Sequence, residues 1–549
     1  MAAQLPIPVF TDLNELYQNL GTALNHATKW DNLAQEFEAR FGRKPAYIAR
    51  APGREHVDYA LFGCFPAAVE RDILIACAPR AGSSVSHGPG SVVADNLHPK
   101  YTRQTFVPAR KLSWHLGIDP TQLRWESYVK AGYYGVLNHY FAPGGSDNAG
   151  GPVPVDILVT GSVPAGSGLS SSAAMVVAST LAFLAVNGKL DDTAQAASEG
   201  LNKGKLVEMS MENEKRVGVN SGGMDQAASV ISLAGSALYI SFFPRLSAQP
   251  IPLPGAAPIT STSPASAADA DSALPPRAVF VCANSLVVSD KVVHARTRYN
   301  LRVVETLVSA RVLARRLGVS VGDKEKVTLR EVLGRVVGED VGKMEDMDLE
   351  VLKGALEKMV KEIEVLKPQG RDEEGVTMEE MIEWSGMSKD VFNEVYLSWV
   401  DIEATRFQLY KRAKHVFTES LRVLQFRDVC IQSNAAAESA SSTAATLKAL
   451  GALMNESQES CSKVFDCSCP ELDELVQLAR DAGAYGSRLT GAGWGGCTVS
   501  LVDEDKVDEF IAKVKASYGP YKELEGTALH EVIFATKPSS GACVYKFED

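Results

Sequence analysis

The sequence predicts a chain of mixed helix and strand folded into two or more domains, and three observations carry that reading. Its 549 residues exceed what one hydrophobic core normally serves. A β-branched, alternating run from Val153 to Thr160 passes through a glycine-serine loop into the apolar helical run Met175 to Leu184. Near the other end a second glycine cluster, Gly491 to Gly496, leads into the apolar strand Thr498 to Val502. Apolar residues make up 45% and charged residues 22%, which suits a packed chain, and the net charge of -12 argues against a large nucleic-acid or anionic-membrane surface. Nine cysteines without paired CxxC spacing read as reduced thiols. Met1 to Pro6 lacks a basic and then apolar leader, and the longest apolar stretch, near Ala173 to Val186, is too short to span a bilayer, so a cytoplasmic protein is expected.

Taken in order, Pro8 to Phe41 carries helical periodicity, with Leu13, Leu16, Tyr17 and Leu20 on one face and Trp30, Leu33, Phe37 and Phe41 on the next, as in a packing cap. Ala46 to Arg54 reads as a strand running into a turn that delivers Glu55-His56-Val57-Asp58-Tyr59. The ionisable groups Arg54, Glu55, His56 and Asp58 either ligate a polyhydroxylated substrate or form a solvated charged turn. Ala67 to Glu70 and Ile73 to Ala78 read as sheet, and Arg124 to Lys130 begins an aromatic-rich helix in which Trp125 lines a base pocket or packs in the core. Ala142 to Pro152 is a loop by composition.

The stretch Gly161-Ser162-Val163-Pro164-Ala165-Gly166-Ser167-Gly168-Leu169-Ser170-Ser171-Ser172-Ala173-Ala174 is the organising element. Its glycines let backbone pass close to a ligand, and the unpartnered amides and dipole of the following helix favour an anion. It is a phosphate cradle or an ordinary capped helix after a turn; without a Gly-Lys-Ser/Thr ending it is not a Walker A loop. The next helical run, Lys205 to Glu214, ends at Gly218, and Gly222-Gly223 then frees the backbone just before Asp225. Asp225 is a helix N-cap or an acid facing a substrate hydroxyl, and Glu214 ligates a metal or faces solvent.

Residues 255–276 are low-complexity, so domains are expected over 1–254 and 277–549 with an insertion between them. After the strand Ala278 to Ala283, Val292 to Leu317 forms a long basic helix containing His294, Arg298 and Tyr299. The segment 322–387 is helical and highly charged; its Glu-Lys mixtures suit solvated faces, and no chemistry is assigned to it. Arg412 to Phe417 is helical, with His415 read as capped or packed. In Gly486 to Cys497, four glycines within six positions imply close backbone approach to another loop or to a ligand.

Together these stretches resemble the small-molecule kinases that include galactokinase, homoserine kinase, mevalonate kinase and phosphomevalonate kinase. Pro164 to Ala173 is similar to their phosphate loop, and Gly491-Ala492-Gly493-Trp494-Gly495-Gly496-Cys497 to their C-terminal glycine motif. Glu55-His56-Val57-Asp58-Tyr59 and Gly222-Gly223-Met224-Asp225-Gln226 narrow the resemblance to the galactokinase family. Leu453 to Gln458, Cys467 to Glu471 and Tyr485 to Thr490 resemble its fungal and plant branch.

The resemblance implies an α+β fold of two domains: a ribosomal-S5-like α/β domain, then a ferredoxin-like α+β domain with a helical insertion, with nucleotide and sugar between them. It implies phosphorylation of the C1 hydroxyl of α-D-galactose by ATP with Mg2+. By position it implies Asp225 and Arg54 as catalytic residues, and Glu55, His56, Asp58, Gly223 and Tyr299 as sugar ligands. Trp125, Gly166, Ser167, Gly168, Leu169, Ser170 and Ser171 would bind ATP, and Ser172 and Glu214 the metal.

The chain departs from the family's first motif, Gly-Arg-x-Asn-x-x-Gly-Glu-His-x-Asp-Tyr, in lacking five residues between Arg54 and Glu55. An extended link of that length spans up to roughly 16 Å, so Arg54 and the Glu55-His56-Asp58 group require local rebuilding to keep their family places. The expectation is a chain that binds ATP better than it turns over galactose. The same resemblance leaves room for a galactose- and ATP-dependent co-inducer that binds a transcriptional repressor, and for an N-acetylgalactosamine kinase; the presence of Ser172-Ala173 favours an enzyme over the co-inducer, whereas the shortened first motif favours the co-inducer.

Overall fold

The computed structural model describes residues 2–17, 20–54, 60–80, 88–122, 124–142, 151–164, 166–190, 201–218, 222–254, 277–287, 296–343, 345–368, 370, 375–435 and 440–548. The expected insertion 255–276 therefore lies outside the described residues, as do His294, Glu55, His56 and Asp58.

Period-two burial builds the first sheet. Ile48, Leu74, Ala76 and Leu158 face one side, where Trp30, Leu33 and Phe37 of the helix Leu20–Phe41 cover them. Their neighbours Ala49, Ile75, Cys77, Ile157 and Val159 face the other side, where Val177, Ala178 and Leu181 of the helix Ser171–Val186 pack. This helix is apolar all round and buried along nearly its whole length because the helices Trp125–Tyr140 and Lys203–Glu214 pack on the side turned away from the sheet. The seven strands run in the order Val9–Phe10, Cys543–Lys546, Tyr47–Arg54, Ala68–Pro79, Val155–Gly161, Val92–Asn96 and Gln104–Phe106. The chain's last strand thus pairs with strands from its beginning, antiparallel to Tyr47–Arg54 and parallel to Val9–Phe10.

The segments read separately as Ala67 to Glu70 and Ile73 to Ala78 form one strand, Ala68–Pro79. The polar interruption, Arg71-Asp72, belongs to the sheet because Asp72 is 1% exposed and doubly paired: Arg50 Nε lies 2.7 Å from one oxygen and Lys29 Nζ 2.6 Å from the other. Burial pushes the Asp72 carboxyl up, but the two cations outweigh it and hold the group below its ordinary value. Arg50 also donates to Ser539 Oγ at 2.8 Å and to the Ser540 carbonyl at 3.0 Å, tying the C-terminal segment to the sheet.

The second sheet is antiparallel, in the order Gly486–Leu489, Cys497–Asp503, Ala278–Asn284 and Ile533–Thr536. Val281, Ala283 and Val502 face Leu475, Phe510, Val514 and Tyr521 on one side, while Cys282, Val499 and Leu501 join the core shared with the first sheet. Helix and strand content and the two sheets agree with the expected α+β class.

The charged segment 322–387 differs from its reading as solvated faces. Its helices Leu329–Val337, Leu349–Glu362 and Met378–Ser385 bury Leu333, Leu356, Met359 and Met381 in the main core, and two of them open with capping boxes, Thr328 with Glu331 and Thr377 with Glu380. Even Arg330 is buried, held by two 2.6 Å bonds to Glu339. All nine cysteines are free thiols, and among the described residues no helix is long and apolar enough to cross a membrane.

Candidate active site

The central strand and helix join as expected: Val155–Gly161 leads through the glycine-serine loop into Ser171–Val186. Gly166 and Gly168 take φ of +70° and +80°, and Ser170, just before the helix, is also left-handed at +57°. Ser170 is the N-cap of that helix: its carbonyl accepts from the Ala174 N–H at 3.1 Å, and its Oγ donates to Asp225 Oδ1 at 2.8 Å. Ser167 behaves differently: it is 1% exposed, and its hydroxyl closes the loop by donating to the Pro164 carbonyl at 2.8 Å. Leu169 is buried as well, whereas Ser170, Ser171 and Ser172 are half-buried at the helix start.

Asp225 is not an N-cap. Gly223, at φ +96°, occupies that place in Met224–Ile231, and Asp225 sits in the first turn, half-buried, against the phosphate loop. The side chain of Met211 fills the space a Cβ on Gly223 would need. Glu214 does not face solvent: it is 1% exposed at the end of Lys203–Glu214, and its carboxylate accepts from the Gln226 amide. Tyr128 lies one turn into Trp125–Tyr140, and burial, with the Glu214 charge adding to it, pushes its phenol up. Trp125 opens the same helix, half-buried, with its ring 6.2 Å from that of Tyr101.

The glycine motif meets a loop. A Cβ on Gly491 would lie 2.9 Å from the Gly168 Cα, one on Gly496 2.8 Å from the Ser167 carbonyl oxygen, and one on Gly168 3.0 Å from the Thr490 carbonyl oxygen. Glycine is required because two backbones lie against each other there. The motif is held on its far side as well, where Trp494 N–H donates to the Cys467 carbonyl at 2.7 Å and Gly496 N–H to the Val287 carbonyl at 3.0 Å. Tyr299 starts the helix Tyr299–Arg316 and packs with this motif, lining a pocket with Gly491, Ala492 and Trp494. The expected helix 292–317 is thus described from Tyr299 to Arg316. His415 is packed, as read: buried, stacked on Phe465 at 4.4 Å and 2.9 Å from Ser460 Oγ.

Among the expected site residues, the structure joins Ser170 to Asp225, while Glu214 sits with Gln226 and Tyr299 with the glycine motif. Of Arg54 only the backbone is described; it pairs with Ala68 after a bulge at the end of its strand. Gln226 and Tyr128 were not singled out by the sequence. Gln226 was legible only as the residue after Asp225, since its partner lies 12 positions upstream.

Three family models match the chain: "GHMP kinases N terminal domain" over residues 128–232, "GHMP kinases C terminal" over 440–520, and "Galactokinase galactose-binding signature" over 35–79. The galactokinase of Saccharomyces cerevisiae is 33% identical, covering 95% of both chains, and that of Dictyostelium discoideum 34% identical, covering 98% of this chain and 97% of its own. The crystal structure of Lactococcus lactis galactokinase complexed with galactose shares the fold, with a TM-score of 0.58 at 19% identity over 93% of this chain and 99% of that one. With about a third of its residues matched along nearly the full length, and with both glycine loops in contact, the chain belongs to the galactokinase family of GHMP kinases.

Proposed function

We propose that this protein transfers the γ-phosphoryl group of ATP to the C1 hydroxyl of α-D-galactose, giving galactose 1-phosphate and ADP. One observation carries the reading: an acid, Asp225, is held by Ser170 at the N-terminus of a buried helix that follows a glycine loop. The helix amides and the half-buried Ser171 bind phosphate, with Gly166 allowing close approach and Gly168 shaping the loop against the glycine motif. Trp125 flanks the adenine. The Ser170 hydroxyl orients Asp225, whose carboxylate takes up the proton of the sugar hydroxyl as that oxygen attacks phosphorus in line. Arg54 holds that carboxylate ionised, and Glu55, His56, Asp58, Gly223 and Tyr299 position the sugar.

Ser172 and Glu214 form an oxygen-only donor set, and Glu214 is buried with its orientation set by Gln226, which suits Mg2+ retaining water and phosphate ligands. Bound there, Mg2+ would supply charge neutralisation for the transferring phosphoryl group. The domain limits 1–254 and 277–549 and a cytoplasmic location are part of the same reading.

The test is ADP release with MgATP and galactose, N-acetylgalactosamine or no sugar, alongside ATP affinity, in this chain and in one with five family residues restored after Arg54. Turnover with galactose alone supports the proposal. Faster turnover with N-acetylgalactosamine moves the assignment to that sugar. ATP binding without turnover, with a repressor captured only in galactose and ATP, gives the co-inducer.

A further inference from the structure

The helix Ala440–Glu459 ends in a π-helical turn, Ser460–Phe465, closed by Asp466 in a left-handed conformation at φ 57°. That reversal returns the chain over itself, and Cys467 N–H donates to the Cys461 carbonyl at 2.9 Å. The bond brings the two backbones together across the turn, as a disulfide between them requires. Both side chains belong to one buried cluster with Phe465, Leu489 and Trp494. Both are buried, at 2% and 5% exposure, and both line a small pocket whose rim, Tyr299, Gly491 and Ala492, is half-buried.

We propose that Cys461 and Cys467 are a dithiol modification site, oxidised to a disulfide by a hydroperoxide small enough to enter this pocket, and that closing it shifts the glycine motif against the phosphate loop.

Three observations support it. The neighbouring Cys467 side chain, with help from the Arg488 guanidinium, outweighs burial and favours the Cys461 thiolate, the nucleophile that peroxide chemistry needs. The Cys467 carbonyl is the acceptor for Trp494 N–H at 2.7 Å, and Gly493 rests directly on it, so a displaced Cys467 moves the motif whose Gly491 and Gly496 touch Gly168 and Ser167. Asp466 is bonded to Arg302 at 2.5 Å, and that guanidinium lies 5.7 Å from the centre of the Trp494 ring.

The step balances. The Cys461 thiolate attacks one peroxide oxygen, the O–O bond breaks, and the departing hydroxide takes up the proton that Cys461 shed on ionising. The Cys467 sulfur then attacks the Cys461 sulfenic acid at sulfur, and its proton leaves with the hydroxyl as water. Two thiols lose two electrons, and hydrogen peroxide becomes two waters.

The full-length protein is treated with hydrogen peroxide, alkylated and digested with trypsin, which cuts after Lys463 between the two cysteines. The expected result is a cross-linked 461/467 peptide, faster amide exchange over 489–496 and ATP affinity weakened by about tenfold, all reversed by dithiothreitol. Cys469→Ser retains the response, and both Cys467→Ala and Cys461→Ala lose it. Unmodified thiols, or oxidation that stops at a single sulfinate, overturn the dithiol; a cross-link with unchanged exchange over 489–496 overturns the coupling. The affinity measurement rests on the kinase reading. Failure of the reduced protein to bind ATP would count against that reading, while the cross-link and the exchange decide this one.

Discussion

The phosphate loop at 161–170 and the glycine motif at 491–497 are both rich in glycine and both hold left-handed residues, Ser170 in one and Trp494 in the other. They use that freedom for different ends. In the first loop the left-handed residue turns a hydroxyl onto Asp225, and Gly166 leaves open space around it. In the second the glycines are filled against backbone: Gly491 against Gly168, Gly496 against Ser167, Gly493 against Cys467. One loop presents chemistry and the other buttresses it, so damage to the first should read out in turnover and damage to the second in stability.

The largest expected effect is at the acid. Asp225→Asn lowers kcat by about 10²–10⁴ in an ADP-release assay, with the thermal midpoint nearly unchanged; a loss mainly of stability breaks the comparison. Glycine-to-alanine substitution at matched positive φ separates the loops by stability. Gly491→Ala, whose Cβ would stand 2.9 Å from the backbone of Gly168, costs about 2–3 kcal/mol by chemical denaturation, against about 1 kcal/mol for Gly166→Ala, which meets nothing within 4 Å.

His415, under the glycine motif, sharpens the contrast through pH. Burial is the main cause that lowers its imidazole from 6.5 to about 4. The unfolded chain therefore binds the extra proton first, so stability from neutral His415 is complete above about pH 6.5 and drains as pH falls towards 4. At pH 5 the loss is about 2 kcal/mol, and His415→Gln should flatten that part of the stability profile. The smallest effect is at the hydrogen bond between the loop and the acid: Ser170→Ala lowers kcat by about tenfold with folding stability held, measured against the Asp225→Asn variant to test that the two act as one unit.

Much of this was legible beforehand. The strand and helix around the phosphate loop follow from local alternation and apolar content, and the motifs followed one another in family order. Less legible was any residue whose identity contradicts its place. Arg71-Asp72 looked like a break between strands, yet Asp72 is carried inside the sheet by Arg50 and Lys29, which lie 22 and 43 positions away. Segment 322–387 looked solvated because charge dominates its composition, while its apolar stripes, Leu333, Leu356 and Met381 among them, need partners on other helices before their burial can be seen.

The sequence by itself determined the periodicities, the two glycine loops and the residue types available for phosphate, sugar and metal, because backbone sterics and side-chain chemistry act within a few positions. Tertiary structure alone decided which of these meet. Ser170 reaches Asp225 across 55 positions, and Gly491 reaches Gly168 across more than three hundred, because two sheets sharing one core bring the loops together. Whether a glycine cluster faces a ligand or another backbone is a matter of packing, and packing is settled only when the whole chain has closed on itself.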